Sequence, residues 1–342
     1  GLSAIKPLFT LADAEHAMHQ FRGHEYGERV TLFPGIEVRF IDAGHILGAA
    51  IVEFRLSEGG QTRKVVFSGD LGFDQGPVMA PPETVAEADL VLLESTYGDR
   101  QHRAPEDTLA ELKSIFLAAN DTGGNIIIPA FAVGRTQDLL HLMSQHFDEW
   151  RLKDWQVFLD SPMAIEATEI YSRFRHLYEA RLFQPGRHVP LLPNLAMSRT
   201  AQDSMAINRI ESGAIVIAGS GMCTGGRVVH HLKHNLWRDE CHLVIVGYQA
   251  HGTRGRRIVE GSEYVRIHGD SVRVNAAVHT IGGLSAHADQ QGLIDWYAAF
   301  RNHPRVCLVH GEEDAQKALA RILRSRFDAD VSIPDLGEKI TL

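Results

Sequence analysis

Four short apolar runs constrain this chain most: "NIIIPA" at 125–130, "WQVFLD" at 155–160, "AIVIAG" at 214–219 and "HLVIVGYQ" at 242–249, with helix-period stretches between them. A continuous apolar run bounded by turn residues reads as a strand buried on both faces. Such strands alternating with helices make a parallel, doubly wound sheet. The flanks follow another grammar. Up to about residue 100 the chain reads "RVTL", "IEVRFID", "AAIVEFRL", "KVVFSGD" and "DLVLLEST", strand after strand, preceded by a helical "ADAEHAMHQF". Strand-rich sequence returns after about 270 with "SVRVNAAV", a helix near 288–300, "RVCLVHG", a helix near 313–326 and a last short strand. Pro105 opens the first inserted helix and Gly123-Gly124 closes it. A chain of 342 residues is long for one core. The economical reading is therefore one domain, 1–104 and 271–342, interrupted by a second, 105–270.

Composition excludes several classes. No apolar stretch is long enough to span a bilayer and no charged-then-apolar leader opens the chain. With Cys223, Cys241 and Cys307 in no metal-ligand spacing and odd in number, the expectation is a cytoplasmic protein with buried reduced thiols. The net charge of −9 repels polyanions at long range, so any nucleic-acid contact must be local. Nineteen histidines are a rich supply for such a protein, and they are the composition's one hint of metal chemistry. The chain opens "GLSAIKPLF" without methionine, as a processed or trimmed chain would, and Ile5 breaks the myristoylation pattern.

Five ionisable residues stand where a strand ends, most of them beside glycine: His45 in "DAGHILG", Asp70 in "VVFSGDLG", Glu94 in "LVLLESTYG", His287 in "GGLSAHAD" and His310 in "CLVHGEE". Imidazole and carboxylate are zinc donors, and strand ends supply the rigidity that convergent ligands need. Asp70 is the candidate bridge, because a carboxylate has two oxygens to share between two ions. Taken singly, each also reads as a turn aspartate, a helix cap or a core histidine. "AGSGMCTGGRVVHHLKH" at 218–234 is a strand, a Gly-rich turn and a helix start, whose free N–H groups attract phosphate, with Arg227 and Lys233 adding positive charge; it also reads as a plain tight turn. "HGTRGRR" at 251–257 is a second basic loop, at the expected domain junction.

"DAGHILGAAIVEF", "FSGDLG", "LLESTYGDR", "PAFAVGRTQDLL", "LDSPMA", "AGSGMCTGGRVVHHLKH", "VGYQAHGTRGR", "VHTIGGLSAHADQ" and "VCLVHGEED" together resemble, in order and over essentially the whole chain, the β-CASP branch of the metallo-β-lactamase fold. The resemblance implies an α/β fold, a metallo-β-lactamase αββα sandwich with an inserted parallel-sheet α/β β-CASP cap. It implies a zinc-dependent ribonuclease acting on single-stranded RNA. In it, His45, Asp70 and His310 hold two zinc ions bridged by Asp70, and His287 is the proton donor oriented by Glu94. Ser285, Gly221, Arg227 and Arg135 would touch the substrate. A histidine at 310 resembles RNA-directed members, whereas DNA-repair members carry an apolar residue there.

The family's His-x-His-x-Asp-His signature is absent. "EHAMHQF" at 15–21 has the wrong spacing and a helical pattern. Motif order puts the signature upstream of Gly1, so the sandwich is expected to be N-terminally incomplete, zinc occupancy reduced or absent, cleavage by the chain as given poor or lost, and apolar surface left open for a homodimer. Two other readings stay open: a catalytically silent RNA-binding or scaffold partner, and a small-molecule hydrolase of the wider lactamase fold. Endonuclease and 5′-exonuclease action are not distinguished by these residues.

Overall fold

The computed structural model describes residues 7–178 and 192–342. The first strands are β1 (Arg29–Phe33), β2 (Ile36–Asp42), β3 (Ala50–Glu58), β4 (Gln61–Phe67) and β5 (Leu90–Glu94). The second group is β6 (Ile126–Pro129), β7 (Gln156–Leu159), β8 (Leu195–Met197), β9 (Ala214–Ala218) and β10 (His242–Ile245). Then follow β11 (Tyr264–Ile267), β12 (Asp270–Arg273), β13 (Ala277–Thr280), β14 (Arg305–Val309) and β15 (Val331–Ser332). Among the described residues they form a seven-stranded sheet ordered β1-β2-β3-β4-β5-β14-β15, a six-stranded sheet ordered β13-β10-β6-β9-β7-β8, and the β11-β12 hairpin.

The first sheet is antiparallel from β1 to β4 and parallel from β4 through β5 and β14 to β15. Strand β14 returns to pair with β5 after more than two hundred residues, so the two ends of the chain build one sheet around an inserted unit. Helices Gln290–Ala298 and Glu313–Phe327 cover one face, burying Leu293, Tyr297, Leu319 and Leu323 completely against Val66, Val91 and Val306. Each such side chain contributes about 1.5–3 kcal/mol. On the opposite face Val65, Leu90 and Cys307 pack with Phe54, Leu92 and Ile340, while Phe67 stays 39% exposed.

In the second sheet every pairing is parallel. Alternation explains its two-sided burial. Ile126 and Ile128 meet Leu112, Phe116 and Met143 from helices Pro105–Thr122 and Arg135–Gln145. Ile127 points the other way, toward Val229 and Leu232 of helix Val228–Asn235. Pro105 stands at the start of the first of these helices, and Gly123, at φ +75, ends it in the left-handed conformation glycine tolerates.

Two expectations change. "SVRVNAAV" does not pair with the returning strands: β12 pairs in the hairpin and β13 pairs with β10, so the chain leaves the second sheet after Thr280 rather than at 270. "HGTRGRR" is not a plain loop: the Thr253 hydroxyl accepts from the Arg256 N–H and starts helix Arg254–Val259. Helix Leu11–Met18, which carries His16, buries none of its residues. The helical stretches expected near 163–210 lie partly in 179–191, outside the described residues. No helix among the described residues is long and apolar enough to cross a membrane.

Candidate functional site

Strand direction gathers the site. β2, β4, β5 and β14 all run the same way, so His45 after β2, Asp70 after β4, Glu94 at the end of β5 and His310 after β14 come to one edge of the first sheet. The carboxyl ends of parallel strands form the crevice where α/β proteins bind ligands. Val309 pairs with Glu94, which sets His310 one residue past it.

Three loops are stitched together there. The Gly72 N–H donates to the Ala43 carbonyl (2.8 Å), Phe73 N–H to the Ala286 carbonyl (3.0 Å) and Ala288 N–H to the Leu71 carbonyl (2.7 Å), with Gly72 bridging to His287. A Cβ on Gly72 would lie 1.9 Å from the Gly44 carbonyl oxygen, so only glycine permits this approach. Asp42 holds the first loop by accepting from the Gly44 N–H at 2.9 Å. His310 sits at φ +49, costly for a residue with a side chain, and its carbonyl accepts from Ser95 N–H (3.3 Å) and the Thr96 hydroxyl (3.2 Å).

Ligand atoms of His45, Asp70 and His287 lie within 4.8 Å of one another. Asp70 turns its two oxygens to different imidazoles: Oδ2 is 4.0 Å from His45 Nε2, and Oδ1 is 3.4 Å from His310 Nε2. The His45 and His287 rings are 4.4 Å apart, those of His287 and His310 6.0 Å. His287 Nδ1 is 3.3 Å from Glu94 Oε1, leaving Nε2 for the centre. Glu94 is buried, and it accepts from the Leu71 N–H at 2.6 Å through the same oxygen. Burial lowers the pKa of His45, and the neighbouring His287 lowers it further. For His287 burial also acts downward, but the hydrogen bond and charge of Glu94 outweigh it and the pKa ends above the ordinary imidazole value. His45 Nδ1 is buried without a well-formed hydrogen bond, although the Ala286 backbone is near enough to favour its proton. Imidazoles and a shared carboxylate at these spacings fit a zinc centre.

The other sequence candidates are placed differently. Ser285 Oγ accepts from the His287 N–H at 3.2 Å. Arg227 is committed within the second domain: its guanidinium donates to Asp160 Oδ1 (2.7 Å) and to the carbonyls of Ser198 (2.8 Å) and Arg199 (3.0 Å). Fully buried Asp160 also binds His231 Nε2 and Ser204 Oγ, each at 2.6 Å. Those bonds use the charge that a phosphate contact by Arg227 would need. Lys233 is paired with Asp270 at 2.6 Å. Gly221 packs against the Phe131 ring, and its carbonyl accepts from Gln249 at 2.9 Å. Arg135 donates to the Val246 carbonyl and lies 3.9 Å from Asp138, whose pKa burial raises to about 6.

Sequence reasoning missed two neighbours of the site. Tyr171, from helix Pro162–Arg173, accepts from the Leu47 N–H at 3.0 Å and so ties the His45 loop to the second domain. His102 reaches the His287 carbonyl at 2.9 Å. Neither stands at a strand end, and no local pattern marks them.

Residues 136–258 match the Beta-Casp domain, and residues 271–334 match the Zn-dependent metallo-hydrolase RNA specificity domain. The chain is 39% identical over 339 residues to a protein of Thermus thermophilus named ribonuclease TTHA0252, covering 98% of this chain and 76% of the relative. It is 29% identical over 360 residues to the transcription termination factor FttA of Thermococcus kodakarensis, covering 100% of this chain and 54% of that protein. An RNase J-like protein of Methanocaldococcus jannaschii is 26% identical over 337 residues, 95% of this chain and 75% of the relative. The chain thus spans about three quarters of the Thermus relative and about half of the termination factor. With the strand-end cluster, the parallel inserted sheet and both matched domains in one polypeptide, the chain belongs to the β-CASP family of metallo-β-lactamase-fold nucleases.

Proposed function

We propose that the protein is a zinc-dependent ribonuclease that hydrolyses phosphodiester bonds of single-stranded RNA in RNA processing or decay. The observation that carries this reading is the convergence of His45, Asp70 and His287 at the carboxyl edge of the first sheet, with His310 on the far oxygen of Asp70. The matched RNA specificity domain and the relative named a ribonuclease support RNA as substrate.

His45, Asp70 and His310 would hold the metal, which when bound supplies positive charge to polarise a phosphodiester and to acidify water. The remaining chemistry belongs to the chain. His287 Nδ1–H donates to the Glu94 carboxylate, so Nε2 faces the centre and is the atom that would carry a proton to the leaving oxygen. Leu71 N–H fixes the Glu94 carboxylate in turn. Ser285 orients the His287 backbone and keeps its own hydroxyl hydrogen for a phosphate oxygen. Substrate would lie between the two domains, where unpaired strand is the form expected to fit.

A second role for His287 has its own support: its ligand atom is inside the 4.8 Å group, so it can serve as a metal donor. The two roles separate experimentally. Zinc content and cleavage of labelled single-stranded and duplex RNA are measured on wild type, Asp70→Asn and His287→Ala. With zinc supplied in the assay, the proposal expects cleavage of single strands, lost in both variants, with the zinc content of the wild type kept in His287→Ala; zinc lost there as well makes His287 a ligand. Undiminished cleavage in Asp70→Asn overturns the metal-centred reading.

A further inference from the structure

We infer that His102 is a positioning residue of the site: it fixes the backbone carbonyl, and through it the ring, of His287. This rests on His287 belonging to the active centre, whether as proton donor or as ligand.

His102 lies on the segment between β5 and helix Pro105–Thr122. Its ring stands edge-on between Phe73, centroids 4.9 Å apart at 87°, and Tyr97, 4.6 Å apart at 73°. Nε2 is 2.9 Å from the His287 carbonyl. A carbonyl oxygen only accepts, so His102 Nε2 carries a hydrogen and donates it to His287.

The contact is one of a set. The His102 N–H donates to Asp289 Oδ2 (3.0 Å), the Gln290 N–H to the Arg100 carbonyl (2.9 Å) and Gln290 Nε2 to the Gly98 carbonyl (2.7 Å). Asp289 meanwhile caps the following helix through the Gly292 N–H at 2.9 Å. Segment 98–102 therefore grips the loop that carries His287 along its length. His287 itself is held at three points: N–H by Ser285, carbonyl by His102 and ring by Glu94. Two of these set the backbone from which the side chain departs. With the carbonyl freed, that peptide is held only from its other side, by the Ala288 N–H on the Leu71 carbonyl, and the Nδ1–Glu94 bond, already 3.3 Å long, loses part of its aim.

The test compares two substitutions in the full chain. His102→Gln keeps an N–H donor of similar reach; His102→Phe keeps a ring between Phe73 and Tyr97 and removes the donor. Long-range proton–nitrogen spectra at about pH 9 read the His287 tautomer directly and need no catalysis. The wild type and His102→Gln are expected to show the Nδ1–H form, and His102→Phe an average of both tautomers. In cleavage of single-stranded RNA, His102→Phe is expected to lower kcat by about 10-fold to 100-fold with KM within about twofold, and His102→Gln to restore most of it. A wild-type tautomer and kcat in His102→Phe overturn the inference, as does an equal loss in both variants, which marks a merely structural role. Undiminished cleavage in His287→Ala would instead fail the proposed function and leave the tautomer result standing.

Discussion

At Gly72 the site has no room for even a methyl group, since a Cβ there would overlap the Gly44 carbonyl at 1.9 Å. Gly72→Ala must push the His45 loop away from the loop joining Asp70 to His287. Displacements near 1 Å cost about 100-fold in rate. We therefore expect zinc affinity and cleavage to fall together in Gly72→Ala while the far-UV spectrum of the fold is kept; wild-type cleavage would show that the loops are not held by this approach. His141 gives a prediction in pH. Burial, and then the charge of His146, push its pKa down to about 4. The unfolded chain takes up that proton near pH 6.5 while the folded chain refuses it until about 4. The stabilising preference for the neutral ring is thus complete above pH 6.5 and is lost as pH falls through the window down to about 4. His141→Gln, neutral throughout, should shrink the drop in Tm between pH 7 and pH 5. An unchanged drop would place the dependence on other histidines, such as buried His242 and its hydrogen-bonded, half-buried neighbour His279.

Helix Pro162–Arg173 and the loop after β2 are joined by a hydrogen bond from Leu47 N–H to the Tyr171 hydroxyl, with Leu47 packed against Tyr171, Val78 and Met79. Removing the acceptor leaves a part-buried N–H unpaired at about 1–3 kcal/mol. Tyr171→Phe is expected to lower stability by that order and to speed hydrogen exchange at Leu47. Equal exchange in both proteins would mean that the loop is held from its own domain alone. At this scale legibility was uneven. Strands such as β5 and β9 were readable because a buried strand must be apolar on both faces, and helix ends because Pro105 and Gly123 have few other uses. The partner of β13 was not readable. Period reports that a segment is extended, and nothing in "NAAV" says that its hydrogen bonds go to β10 rather than to the lactamase-like sheet.

Across the whole molecule, the proposed metal centre joins residues up to 265 positions apart, His45 to His310. The described residues offer His45, Asp70, His287 and His310 to it, whereas two zinc ions with about four ligands each call for more donors even with Asp70 shared. The chain as given is therefore expected to retain well under about two zinc ions after desalting, and a chelator should remove them readily. Elemental analysis per chain checks this, and a stable pair of ions would refute it. What the sequence determined by itself is the inventory: two strand grammars, their order, and five ionisable residues at strand ends. Those follow from local rules, since burial on one face or two and the turn chemistry of glycine and proline act over a few neighbouring residues. Tertiary structure alone decided that β2, β4, β5 and β14 run in one direction and so deliver those ends to one edge. It alone decided that Arg227 turns inward to Asp160, and that His102 reaches the His287 carbonyl across 185 positions. Pairing and side-chain partners are set by which surfaces exclude water together, and that is a property of the packed chain rather than of any stretch of it.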